Sequence, residues 1–120
     1  MANEIQYGMK TQEVIADILD ERVRQIMMER HDIAKDDRYV DGELSLAAAC
    51  YVTESYRNGH ISDLKNALLT GFSGQIWPWS GRWWNPGDRR RNLVRATALI
   101  VADIERLDRA STSDATQAQG

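Results

Sequence analysis

The chain has 120 residues, of which 42% are hydrophobic and 28% charged, and carries a net charge of −3. That balance fits one globular domain with a modest core. It excludes a surface that binds polyanions as a whole, so any affinity for phosphate must come from a local basic cluster.

The N-terminal residues Met1 to Gln6 show neither a basic region nor an apolar one, so no secretory signal is expected. No apolar stretch is long enough to span a bilayer, and a cytoplasmic protein with no membrane partner is the expectation. The single cysteine, Cys50, sits in the apolar run Leu46 to Val52. It has no disulfide partner in the chain and no adjacent basic residue to activate it, so it reads as a small buried hydrophobe.

A first helix is expected from Gln12 to Arg30, with Thr11 as its N-cap. Ile15, Ile18, Leu19, Val23, Ile26 and Met27 recur with helical period and form one apolar stripe. A polar linker follows over residues 31–40. Asp41 is then the expected N-cap of a second helix over residues 42–58, with Gly59 as its stop. Ser45, Ala47, Ala48 and Ala49 make this helix rich in small side chains, which suits close approach by another helix or a second copy of the chain. A short helix is expected within residues 60–70. Residues 71–87 read as a long irregular loop that holds both prolines and all four tryptophans. Loops of that length inside compact domains are uncommon and often functional. The last helix is expected from Asp88 to Arg109, with a main stripe of Leu93, Thr97, Ile100, Ile104 and Leu107. Residues 110–120 lack apolar anchors and are expected to be a disordered tail. The fold class is therefore all-α: three main helices with a Trp/Arg-rich loop in one domain over residues 1–109.

The unusual feature is the crowding of Arg89, Arg90, Arg91 and Arg95 into the first turns of the last helix. Cations at a helix N-terminus oppose its dipole, by about 0.3–1 kcal/mol each near the surface. A bound phosphate would reverse that sign, because free N–H groups and arginine forks both favour an anion there. Trp77, Trp79, Trp83 and Trp84 lie close by in sequence and offer faces on which a base can stack. Asn85 and Asn92 can read a base edge or a ribose. The competing reading has the tryptophans plugging the core and the arginines paired with acids of the first two helices. Two of the tryptophans are core under either reading.

Catalytic machinery is not legible. Asp36, Asp37, Asp41 and Glu43 cluster, but in a linker and at a helix start, where acids are expected for capping. Neither His31 nor His60 lies at metal-ligand spacing, and there is no nucleophile–histidine–acid pattern or Gly-rich phosphate loop. No catalytic residue, metal or cofactor is expected.

Three segments together resemble a pattern found in small phage proteins: Glu21-Arg22-Val23-Arg24-Gln25, then Trp77-Pro78-Trp79 through Trp83-Trp84-Asn85-Pro86 to Arg90-Arg91-Asn92-Leu93-Val94, then Ile104-Glu105-Arg106-Leu107-Asp108-Arg109. The pattern covers most of residues 13–109. A distant branch is similar to the MazG-type helical nucleotide pyrophosphohydrolases, which hold magnesium on paired acidic helices. Here Leu46 and Ala47 follow Glu43 where a second acid would be needed, which argues against hydrolysis. The nearer resemblance is to the first type of phage Thoeris anti-defence protein. It implies a helical sponge that sequesters cyclic ADP-ribose isomers, and in some members cyclic oligonucleotides, without cleaving them. It further implies a homo-oligomer, a dimer or a dimer-based hexamer, in the cytoplasm of the infected bacterial host. Matched onto this chain, the ligand residues it implies are Arg57, Trp83 or Trp84, Asn92 and Arg109, with Arg24 at a second site. The residues themselves add Arg90 and Arg91. A nucleotide pyrophosphohydrolase, and a small regulator that binds nucleic acid or a host protein, are the alternatives. The net charge of −3 disfavours long nucleic acid as a partner.

Overall fold

The computed structural model describes residues 8–29, 33–55 and 77–119. Among them the chain is all-helical and has no β-strand. Helix α1 spans Met9–Met28, α2 Ile33–Asp36, α3 Glu43–Ser55 and α4 Arg89–Gln119, with a 3₁₀ turn at Gly81–Trp83 before α4. None of these helices is long and apolar enough to cross a membrane. The short helix expected within residues 60–70, and the proposed stop at Gly59, lie outside the described residues.

Helix α4 is the spine. Its 31 residues rise about 46 Å, and α1, α2 and α3 pack on it more than on one another. The core lies between α3 and α4, where Leu44, Ala47, Ala48 and Tyr51 meet Ala96, Leu99 and Ala102. Ala47 and Ala48 thus serve the close helix contact expected of the small residues, with α4 as the partner, whereas Ser45 and Ala49 are exposed. Cys50 is fully buried, and burial pushes its thiol up to about 11.

Several boundaries differ from expectation. Helix α1 begins one turn early: Gly8 occupies the N-cap position without a side-chain cap, and its carbonyl accepts the Gln12 N–H at 3.1 Å. Thr11 therefore lies inside the helix. Helix α3 starts after Gly42 rather than Asp41. Gly42 sits at φ +88°, a backbone conformation that favours glycine, and its carbonyl accepts the Leu46 N–H at 2.8 Å. Asp41 instead donates its own N–H to Glu43 Oε1 at 2.8 Å. The linker contains the single turn α2, which carries Asp36 into the interior. Where a disordered tail was expected from Ala110, α4 continues to Gln119. The segment 110–119 contains no proline and no glycine to stop the helix.

The larger difference concerns which faces are buried. Ile15, Leu19, Val23 and Met27 of the expected α1 stripe are exposed, as are Leu93, Ile100, Ile104 and Leu107 of the expected α4 stripe. Between α1 and α4 the chain instead buries Ile18, Arg22 and Gln25. Arg22 donates to Asp36 Oδ2 at 3.0 Å and to Glu105 Oε1 at 3.3 Å, which ties three helices together. Gln25 donates to the Arg95 carbonyl at 3.2 Å. On the α3 side, Ser45 donates to Asp103, which also accepts from Arg106 at 3.1 Å.

Candidate functional site

The tryptophan loop is built onto the core by polar anchors. Trp77 donates its indole N–H to the Ser80 carbonyl at 3.1 Å, and the same carbonyl accepts the Trp83 N–H at 3.0 Å. Ser80 Oγ accepts the Arg82 N–H at 3.4 Å and starts the 3₁₀ turn. Further on, the Asn85 N–H reaches the Tyr51 hydroxyl at 3.4 Å, and Arg95 donates to the Asn85 carbonyl. Asn92 then clamps the end of the loop: its Oδ1 accepts the Gly87 N–H at 2.7 Å and its Nδ2 donates to the Gly87 carbonyl at 3.2 Å.

Three of the four tryptophans are wall rather than surface. Trp77, Trp79 and Trp84 pack against the core cluster. Ring centroids lie 4.8 Å apart for Trp77 and Trp84, 5.3 Å for Trp77 and Trp79 and 4.9 Å for Trp84 and Tyr51. Trp83 stands apart. It carries the Arg82 guanidinium 5.1 Å from its ring centroid and lines a recess of about 210 Å³ with Trp79, Tyr39, Ser80, Lys35 and Glu29. That volume suits one ring system rather than a whole nucleotide, since pockets for drug-sized ligands run about 300–1,000 Å³.

A second recess, of about 370 Å³, lies between α1 and the start of α4 and is lined by Asp17, Asp20, Glu21, Arg24, Asp88, Arg90, Arg91 and Val94. Its basic groups are not equivalent. Arg90 is held by Asp17 at 2.7 Å. Arg24 bridges Glu21 and Glu29, at 2.7 Å to each. Asp88 caps α4 by accepting the Arg91 N–H at 2.8 Å, which occupies part of the helix-end donor set. The guanidiniums of Arg89 and Arg91 have no carboxylate within ion-pair distance among the described residues, and both side chains are exposed. The paired-arginine reading therefore describes Arg90, and the open-cation reading describes Arg89 and Arg91.

Glu29 joins the two recesses. It lines the aromatic one and pairs with Arg24, which lines the charged one. Burial raises the Glu29 carboxyl above the usual range, with Arg24 pulling the other way.

The other expected site residues are dispersed. Asn92 is buried, and its amide is engaged with Gly87 on both sides. Trp84 is packed into the aromatic cluster. Arg109 lies near the far end of the α4 contact region and donates to Asp37 Oδ1 at 2.8 Å. Arg57 lies outside the described residues. Lys35, Tyr39 and Glu29 were not anticipated as site residues. The only hint in the sequence was that α1 ends where the polar linker begins, which turns both toward the loop. Among the described residues, no group of three or more His, Cys, Asp or Glu side chains is placed to hold a metal ion.

No family model, curated protein or solved structure matches the chain.

Proposed function

We propose that this protein binds and sequesters a phosphate-bearing cyclic nucleotide signal, of the cyclic ADP-ribose kind, without cleaving it. One observation carries the reading: an aromatic recess sized for one ring system and an arginine-bearing recess share a wall, the Arg24–Glu29 ion pair. In this reading a base stacks on Trp83 opposite Tyr39 and Trp79, with Lys35 and Ser80 at its edge. The phosphates lie toward Arg24 and Arg91 and compete with Glu29 for Arg24. The raised Glu29 carboxyl eases that exchange, because a group already inclined to hold a proton gives up its partner at lower cost. Arg24 then belongs to the main site rather than to a separate one. Arg109 is engaged with Asp37 and lies outside the two recesses.

The test is calorimetric titration of the full chain with a cyclic ADP-ribose isomer, followed by heat denaturation and chromatography of the released ligand. Tight binding with intact ligand recovered is expected. Trp83→Ala should weaken binding by at least tenfold with the helical circular dichroism unchanged, since stacking on an aromatic ring contributes about 1–3 kcal/mol per base. Binding should also tighten as pH falls toward the raised Glu29 value, because displacement from Arg24 favours proton uptake there. Glu29→Gln should flatten that dependence. Absence of heat with cyclic ADP-ribose isomers and with cyclic di- and trinucleotides would overturn the reading, and a cleaved product would transfer it to the hydrolase class.

A further inference from the structure

We infer that Gly87 is a positioning residue for anion binding: its bare Cα is the seat along which the stem of Arg91 lies, and that seat holds the Arg91 guanidinium at the charged recess. This role rests on the reading of that recess as the place where the phosphates lie. It adds which arginine is set in advance to meet them, and what sets it.

Three arginines line the recess. Arg24 and Arg90 are engaged with carboxylates. Arg91 has no carboxylate within ion-pair distance among the described residues. An exposed arginine without a partner ordinarily samples many rotamers, and fixing it on a ligand costs entropy. Arg91 is restrained instead by the residues just before its helix. A Cβ built on Gly87 would stand 2.9 Å from the Cδ of Arg91, 3.5 Å from its Cγ and 3.6 Å from its Cβ. Three successive carbons of the stem therefore run past Gly87. Gly87 is itself tied down, because its N–H donates to Asn92 Oδ1 at 2.7 Å and its carbonyl accepts from Asn92 Nδ2 at 3.2 Å. The backbone of Arg91 is fixed as well, with its N–H donated to Asp88 Oδ1 at 2.8 Å. Seat and stem are thus anchored within one turn of the chain. Arg89 also lacks a carboxylate partner among the described residues, but it lines neither recess.

The backbone does not demand glycine here. Among the described residues positive φ belongs to Gly42, so Gly87 adopts a conformation open to other residues. What glycine supplies is room. Carbon atoms pack at about 3.5–4.0 Å, so an alanine at position 87 drives the Cδ of Arg91 off its path. The displaced atom belongs to a flexible, exposed side chain, which can swing away at little cost to the fold. The cost falls on the direction of the guanidinium. A fork already aimed loses less freedom on meeting a phosphate than one that must first be ordered.

The test uses the full chain and two probes, inorganic pyrophosphate for the charged recess alone and a cyclic ADP-ribose isomer for both recesses. Gly87→Ala should weaken both severalfold, with the thermal midpoint and helical circular dichroism unchanged. Arg91→Ala should weaken them at least as much, and Gly87→Ala should add nothing once Arg91 is gone, the non-additivity expected of one residue acting through another. Trp83→Ala should leave pyrophosphate binding unmoved. Nitrogen-15 relaxation of the free protein should show Arg91 Nε more ordered than Arg89 Nε, and Gly87→Ala should remove that difference. Unchanged affinity in Gly87→Ala would overturn the inference, and so would a loss that persists in the Arg91→Ala background, which would make Gly87 a loop-packing residue only. A wild-type protein that binds neither probe would remove the site and the inference together. Pyrophosphate binding that follows Gly87 and Arg91, with no heat from any cyclic nucleotide, would keep the seat and remove the nucleotide reading.

Discussion

The two faces of α4 invert the usual rule. The inner face, which meets α3 and α1, is built from alanines with Asn92, Arg95, Asp103 and Arg106 among them. The outer face carries Leu93, Ile100, Ile104 and Leu107. Inner alanines let helices approach closely, and the buried polar groups are matched: Asn92 to Gly87, Arg95 to the Asn85 carbonyl, and Asp103 to both Arg106 and Ser45 of α3. Large aliphatic side chains are left outside. The face of small and polar residues thus organises the chain, and the bulky aliphatic face is the one left toward solvent.

Substitutions at the two faces should therefore differ sharply. The largest effect is expected at Arg22. Its pair with Asp36 is almost wholly removed from water, and deleting one partner of a buried pair costs about 3–5 kcal/mol. Arg22→Ala should abolish or nearly abolish cooperative thermal unfolding, and a loss below about 1 kcal/mol would show that the pair is solvated. Next comes Leu99→Ala on the inner face, with an expected loss of about 2–5 kcal/mol in chemical denaturation. Ile104→Ala on the outer face should cost under about 1 kcal/mol, because the side chain is already half-exposed. Equal losses at Leu99 and Ile104 would break the comparison between the faces.

Asn92→Ala should cost about 1–3 kcal/mol, because it strands the Gly87 backbone groups that the amide satisfies. It should also increase proteolytic cleavage in the tryptophan loop. A smaller effect, under about 1 kcal/mol, is expected for Asp37→Asn at the surface pair with Arg109. Finally, native Cys50 should resist alkylation at neutral pH. Its thiol titrates near 11 and its side chain is buried, so labelling should appear only with unfolding; rapid labelling of the folded chain would contradict the inner-face packing.

The first and last long helices were readable from apolar periodicity, and the second from its flanking Asp41 and Gly59, because those signals are local. Which face of each is buried was not, since large aliphatic residues ordinarily mark the core and here many lie outside it. A second period runs through Asn92, Arg95, Ala96, Leu99, Ala102, Asp103 and Arg106, but its polar members conceal it. The site was legible as a region and less so as a set of residues. Of the arginine crowd, Arg95 reaches the tryptophan loop at the Asn85 carbonyl, whereas Arg90 and Arg91 line a recess that contains no tryptophan. The roles of individual arginines depend on partners far away in sequence, Asp17 for Arg90 and Asp37 for Arg109, and no local pattern announces pairings across 73 and 72 residues. Asn92 read as a ligand contact because a buried asparagine that clamps a loop looks the same in sequence as one that reads a base.

The position of α4 in the chain also bears on how the protein is made. Helices α1 and α3 find their main partner in an element that is synthesised after both. At about 5–20 residues per second, α1 waits several seconds on the ribosome before α4 follows it out. During that interval Arg22 and Leu44 have no finished surface to join, and the aliphatic row of α1 is open to any chaperone or nascent neighbour. Folding should therefore be completed late and in one step, as α4 leaves the exit tunnel, and a translational pause within α4 should prolong the vulnerable state more than a pause within α1.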